Sequence, residues 1–218
     1  MEGVIFVNPE REVLEAARFI SSTNLVAGTW GNVSLLDEGK VYITPSGIPY
    51  DELSEGDIAV VDLKSGEQIG GAKKASSELP LHLQIYRDHE IVSAIVHFHS
   101  IYASAYASMR KPIPCFVEDQ AQIIGGDVPV AEYAPPGTWK LAENVSKALK
   151  DKFGVLLANH GAVAVGRNMK EALMAAQIVE KSAQIDSIVS GNGVALPEED
   201  LRSLREVYLK SYSKNIVK

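Results

Sequence analysis

A single α/β domain is the fold class this sequence predicts, on three observations. Apolar runs of strand length alternate with longer stretches of helical periodicity along the whole 218-residue chain. With 46% hydrophobic residues the chain can bury a substantial core, and its length suits one domain, residues 1–218, better than two. No internal repeat, low-complexity tract or interdomain linker divides it.

The elements follow in order. Asn8 is a good helix cap and Pro9 suits the first helical position; Val13, Leu14, Ala17 and Ile20 then recur on one face, predicting a helix over 9–22 that covers a sheet. The turn Gly28-Thr29-Trp30-Gly31-Asn32-Val33-Ser34 combines glycines, which permit close backbone approach, with neutral hydrogen-bonding side chains. Val33–Leu36 and Val41–Thr44 flank Asp37-Glu38-Gly39-Lys40 as a hairpin. It ends in a second polar turn, Thr44-Pro45-Ser46-Gly47. A strand over Ile58–Leu63 precedes a third polar cluster, Ser76-Ser77-Glu78, whose serines can cap the helical run Leu79–His89. A helix start of that kind favours negative charge.

Ala94–His99 reads as a strand, Ile101–Met109 as a helix stopped by Lys111-Pro112-Ile113-Pro114, and Phe116–Asp127 has no clear period. Val128–Tyr133 is a short strand, and Thr138 caps a helix to about Lys152. Two largely β-branched runs, Gly154–Ala158 and Ala162–Gly166, enclose Asn159-His160-Gly161 as a tight hairpin or bulge. An Ala-rich helix over 168–190 packs on the sheet, and a last helix spans 197–212.

Composition excludes several function classes. A net charge of -7 without a basic stripe argues against general nucleic-acid binding. The single cysteine, Cys115, cannot form an internal disulfide or a Cys-rich metal site; it reads as a small buried apolar residue in a reducing compartment. Val4–Val7 is too short and wrongly flanked for a signal peptide, and no other run approaches membrane-spanning length, so a cytoplasmic protein is expected.

The chemistry concentrates on histidines. Side chains two apart on a strand share a face, so His97 and His99 present both imidazoles on one side. Taken alone, such a pair is commonly an ordinary core or surface feature. Aimed at one point, two imidazoles suit a divalent metal, and zinc needs further ligands; Glu78 and His160 are the candidates of the right chemistry. His82, one turn from Glu78, reads as structural or supporting, and His89, amid Arg87, Asp88 and Glu90, as a solvated surface residue.

The ordered set Gly31-Asn32, Thr44-Pro45-Ser46-Gly47, Ser76-Ser77-Glu78, Val96-His97-Phe98-His99 and Asn159-His160-Gly161 resembles the class II aldolase/adducin superfamily. The resemblance implies one α/β domain with a central, largely antiparallel sheet flanked by helices on both sides, assembled as a homotetramer with active sites at subunit interfaces. It implies that His97, His99 and His160 bind Zn²⁺, with Mn²⁺ or Co²⁺ as alternatives, and that Glu78 is both catalytic and a metal ligand when substrate is absent. Gly31, Asn32, Ser46, Gly47, Ser76 and Ser77 become the phosphate cradle. The implied reaction cleaves a ketose 1-phosphate, such as L-fuculose 1-phosphate, to dihydroxyacetone phosphate and a short aldehyde through a zinc-stabilised enediolate.

One departure from the family pattern concerns the acid. Where the family places a tyrosine donated to a neighbouring subunit, this chain reads Phe116-Val117-Glu118-Asp119-Gln120-Ala121-Gln122, with no tyrosine; three readings stay open, that Glu118 or Asp119 replaces the acid, that the reaction differs from aldol cleavage, or that both are solvated loop acids. Tyr212 matches a second, C-terminal family tyrosine. Three other reactions on the same metal site stay open: 4-epimerisation of L-ribulose 5-phosphate, sugar-phosphate dehydration and decarboxylation. Glu78 in place of the epimerase aspartate favours the aldolase, and the intact ligand set disfavours a non-enzymatic adducin-like module.

Overall fold

The computed structural model describes residues 8–210. Eight strands form one sheet: β1 (Asn32–Asp37), β2 (Lys40–Ile43), β3 (Ala59–Asp62), β4 (Gln68–Gly70), β5 (Ala94–Phe98), β6 (Val130–Ala131), β7 (Gly154–Leu157) and β8 (Gly161–Gly166). Their spatial order is β4-β3-β2-β1-β5-β8-β7-β6. Every pairing is antiparallel except β6 with β7, so the largely antiparallel sheet is as expected.

The helices are α1 (Pro9–Ser22), α2 (Leu79–Asp88), α3 (Ile101–Met109), α4 (Glu118–Ile123), α5 (Trp139–Leu149), α6 (Met169–Val189) and α7 (Glu198–Lys210). Strand register shows how they divide between the two faces. Val33 opposes Val96, Val96 opposes Ala164 and Ala164 opposes Gly154, so these residues share a face; a Cβ on Gly154 would lie 2.7 Å from Val179 of α6. The alanines of that face, Ala94, Ala162 and Ala164, let the buried alanines of α6, Ala172, Ala175, Ala176 and Ala183, approach the sheet closely. Helix α1 lies beside α6 on this face, against β1 and β2. The opposite face carries Asn32, Ser34 and His97, and α2 covers it, packed on α5.

Asn8 and Thr138 cap helices as the sequence predicts, and Asn168, expected as the first residue of its helix, caps it instead. Asn8 accepts a hydrogen bond from the Arg11 amide at 3.0 Å, Thr138 from the Leu141 amide at 3.2 Å, and Asn168 from the Glu171 amide at 2.8 Å. Four expectations change. Glu78 itself occupies the cap position of α2, with the Ser76 hydroxyl accepting from its amide at 3.2 Å, rather than a serine capping the helix directly. His89 is half-buried and bonds the Ser146 hydroxyl at 3.1 Å, so it is not a solvated surface residue. The 128–133 strand contracts to β6, because Val128 instead bridges Ile113. The α5 helix stops at Leu149, since Lys150 takes a left-handed φ of 50°. The short strand β4 was not foreseen, and Phe116–Asp127 contains α4, whose capping residue Val117 offers no side-chain bond. Cys115 is buried, and burial pushes its thiol up to about 11. Among the described residues, no helix is long and apolar enough to cross a membrane.

A buried contact ties helix α7 to α6: the Tyr208 hydroxyl donates to the Glu171 carboxylate at 2.7 Å, with Glu171 fully buried and also paired with Arg167. Tyr208→Phe keeps the ring and removes the donor. A hydrogen bond to a buried charge is worth about 1.5–3 kcal/mol, and a urea titration should show a loss of that order; unchanged stability would mean that the contact does not hold α7 in place.

Candidate metal centre

Strand β5 ends at the site. His97 is its penultimate residue and His99 lies just beyond it, anchored by its amide donating to the Leu25 carbonyl at 2.9 Å. Only an N–H can bond a carbonyl, so the 3.0 Å contact of His97 Nδ1 with the Ala162 oxygen puts the ring proton on Nδ1 and leaves the Nε2 lone pair facing the site. His160 sits in the β7–β8 turn, where Leu157 pairs with Gly161 and Asn159 adopts a left-handed φ of 56°. The Asn159 amide donates to the Ala107 carbonyl at 3.0 Å, and its side-chain oxygen accepts from Arg110 Nε at 2.9 Å, fixing the turn against α3. The next residue must be glycine: a Cβ on Gly161 would lie 2.6 Å from the Phe98 carbonyl and 2.9 Å from the His99 ring.

The three rings therefore meet, with centroids 4.7–4.9 Å apart, and one nitrogen from each lies within 4.8 Å of the others. Glu78 closes the group from the start of α2, with Oε2 at 2.7 Å from His97 Nε2 and Oε1 at 3.7 Å from His160 Nε2. This donor set fits a divalent cation. The His97 and His99 Nε2 atoms approach to 2.9 Å, the bare His97 lone pair faces a carboxylate, and the buried Glu78 Oε1 has no hydrogen-bond partner. Electron pairs converging in this way repel unless a proton or a metal ion lies among them, and three imidazoles with a carboxylate are ligands that zinc accepts.

The three polar turns converge beside this centre. Pro45 bridges Ala75, the Ser76 amide donates to the Thr44 carbonyl at 3.1 Å, and the Ser46 amide to the Lys74 carbonyl at 3.3 Å, so the second and third turns run side by side. The first joins them through Gly31, whose φ of 142° and 2.8 Å Cβ approach to the His97 carbonyl exclude any side chain. The result is a cleft of about 340 Å³ lined by Gly31, Asn32, Ser46, Gly47, Ser76 and Ser77 together with Glu78, His97, His99 and His160. All ten of these sequence-selected residues thus meet in one place.

Glu118 and Asp119 do not line the cleft; they lie on α4, with Asp119 paired to Lys181 of α6, and Tyr212 lies outside the described residues. Sequence reasoning missed Thr29, Trp30, Pro45 and Pro136 as lining residues. Three of them belong to the polar turns already noted, so the turn glycines were the available signal. Pro136 reaches the cleft because Gly137, at a φ of 73°, lies so near Ser77 that a Cβ would come within 2.8 Å of its carbonyl; no local pattern marks that contact.

Burial opposes ionisation of Glu78, yet His97, His160 and His82 together hold its carboxyl well below the usual range. Burial is the main cause that holds three imidazoles down, His82 and His99 to about 3 and His160 to about 4. His99 and His160 are thus held neutral beside an ionised Glu78 carboxylate, the protonation state that metal binding requires of them.

Fold and site together define an α/β protein with a polar cleft beside three histidines and a carboxylate able to hold a metal ion. The chain belongs to the class II aldolase family: the family model described as Class II Aldolase and Adducin N-terminal domain matches residues 11–186. It is accordingly a metal-dependent aldolase, a carbon–carbon lyase. It is similar to the L-fuculose phosphate aldolase of Methanococcus maripaludis strain C7, 39% identical over 165 residues covering 76% of this chain and 88% of that one. It is also similar to the 5-deoxy-D-ribulose 1-phosphate aldolase of Bacillus thuringiensis serovar kurstaki, 36% identical over 209 residues covering 94% and 97%. A solved L-fuculose 1-phosphate aldolase superimposes with a TM-score of 0.89 at 36% identity, covering 93% of this chain and 96% of that chain.

The depressed imidazoles make a pH prediction. An unfolded histidine titrates near 6.5, so below that pH the unfolded chain binds protons that the folded one resists. Stability of the metal-free protein should be full above pH ~6.5 and fall progressively toward pH ~4, in urea midpoints measured across that range. A flat profile would mean that these rings are not held neutral by the fold.

Proposed function

We propose that this aldolase is a zinc enzyme that cleaves a ketose 1-phosphate to dihydroxyacetone phosphate and a short aldehyde. The observation that carries the reading is the convergence of His97, His99, His160 and Glu78 on a cleft whose other wall is three hydroxyl- and amide-rich turns. The relatives' substrates, L-fuculose phosphate and 5-deoxy-D-ribulose 1-phosphate, support a phosphorylated sugar. In this reading the three histidines hold the ion, and Glu78 completes its coordination until substrate displaces it. The ion, when bound, supplies Lewis-acid stabilisation of the negative charge that develops on the substrate oxygens as C3–C4 breaks.

This chain's own residues do the rest. Amides and hydroxyls at Gly31, Asn32, Ser46, Gly47, Ser76 and Ser77 hold the phosphate. Among the described residues none that lines the cleft is a lysine or arginine, so the donors found there are neutral groups and the start of α2. With the phosphate seated there, the carbon chain extends toward the histidines. Glu78, ionised in the resting site, removes the proton from the dihydroxyacetone phosphate carbon in the aldol direction and, in its protonated form, returns it to that carbon on cleavage. Among the described residues Glu78 is the one carboxylate on the cleft, and a second group is needed to take the C4 hydroxyl proton on cleavage and return it to the aldehyde oxygen in the reverse direction. We assign it to α4 of a neighbouring subunit in a cytoplasmic homotetramer, with the exposed Glu118 ahead of the Lys181-paired Asp119.

Glu78→Gln should retain the metal and lower kcat by roughly 10²–10⁴, the ordinary worth of a general base; wild-type kinetics in that variant would remove its role. Incubation with L-fuculose 1-phosphate, 5-deoxy-D-ribulose 1-phosphate and L-ribulose 5-phosphate separates the reactions. Dihydroxyacetone phosphate is the expected product, and an epimer, a dehydrated sugar or carbon dioxide would replace the aldolase reading of the substrate.

A further inference from the structure

Beneath the cleft, three buried polar groups that the proposed chemistry does not use, His82, Ser34 and Tyr86, run in a line to Asn32. Helix α2 sets His82 and Tyr86 one turn apart over Asn32 and Ser34, which share a face of β1. His82 Nε2 lies 2.5 Å from Asn32 Oδ1, His82 Nδ1 2.6 Å from Ser34 Oγ, and Ser34 Oγ 2.7 Å from the Tyr86 hydroxyl. All four side chains are buried, His82 and Ser34 completely.

Such a line can be ordered in two directions. If Tyr86 donates to Ser34, then Ser34 must donate to His82 Nδ1, His82 must donate from Nε2 to Asn32 Oδ1, and the Asn32 NH₂ is left for the cleft. In the reverse order Asn32 would donate to His82 and present its carbonyl oxygen to the cleft. The Tyr86 end decides between them. Reversed, its hydroxyl hydrogen would have only the Ser93 carbonyl at 3.5 Å, against 2.7 Å to Ser34.

We infer that Tyr86, Ser34 and His82 form a directional relay that holds Asn32 with its NH₂ toward the phosphate, which makes His82 a positioning residue for substrate binding. The inference rests on the reading of Asn32 as part of the phosphate cradle. It matters because an amide has nearly the same shape either way round, whereas an anion accepts only from the N–H side. Among the described residues the cleft is lined by no lysine or arginine, so one misdirected amide is a large part of the recognition they supply.

The test uses the full-length, metal-loaded protein. ¹⁵N NMR of the His82 ring should show the Nε2–H tautomer. Tyr86→Phe keeps the ring and removes the donor that sets the direction, so it should mix the tautomers and weaken binding of inorganic phosphate about five- to tenfold by calorimetry, roughly the worth of one hydrogen bond. The KM for the ketose phosphate should rise with kcat nearly unchanged. Asn32→Ala should weaken phosphate at least as much, and adding Tyr86→Phe to it should cost nothing further. His82→Gln, which can still donate to Asn32, should bind phosphate more tightly than His82→Leu. An Nδ1–H tautomer in the wild-type protein overturns the relay. So does unchanged phosphate affinity in Tyr86→Phe when Asn32→Ala weakens it. Should Asn32→Ala itself leave phosphate affinity unchanged, the cradle reading fails and the relay falls with it.

Discussion

The His97 Nε2 lone pair is pressed against a Glu78 oxygen at 2.7 Å and against a second imidazole nitrogen at 2.9 Å. Its own ring proton is committed to a backbone carbonyl on the far side. Nothing in an apolar core would hold that arrangement by itself, because burial penalises the carboxylate and the converging electron pairs repel. The surrounding fold supplies the constraint. Two adjacent antiparallel strands fix His97, the β7–β8 turn fixes His160, and the helix packed across that face fixes Glu78. The site is a place where stability is given up so that a cation, and then a substrate, can restore it.

The same constraint explains where small residues fall. Gly31 and Gly161 are the points at which backbone must pass within contact distance of the strand carrying the two histidines, and each would collide with that strand if it carried a Cβ. The alanines of the opposite face let α6 press against the sheet, so the strand that aims the histidines is clamped from behind. On the site face, polar Asn32 and Ser34 take positions that a purely structural sheet would give to apolar residues. They are satisfied by His82 and Tyr86.

Much of this was legible in the sequence because the signals are local. Capping residues, the hairpin turn after β1 and the paired histidines depend on neighbours a few positions away, and the five ordered motifs located every cleft residue first proposed for metal or phosphate. The remainder depends on contacts far apart in the chain. Helix α4 has six residues and no capping side chain, so no period could show it, and its packing against α6 and α7 is tertiary. His89 lies in a charged stretch, and only the approach of Ser146 on α5 reveals that it is half-buried. His82 was placed beside Glu78 by its helical spacing, but its bond to Asn32, fifty positions away, came from the fold.

The central claim is that this cluster holds a divalent ion on which carbon–carbon cleavage depends. Elemental analysis of the purified protein, combined with assay of dihydroxyacetone phosphate release from L-fuculose 1-phosphate before chelation, after it, and after zinc is returned, tests it most directly. The account predicts about one zinc per chain, loss of cleavage on removal, and recovery on its return. A metal-free protein that cleaves at the full rate would contradict it.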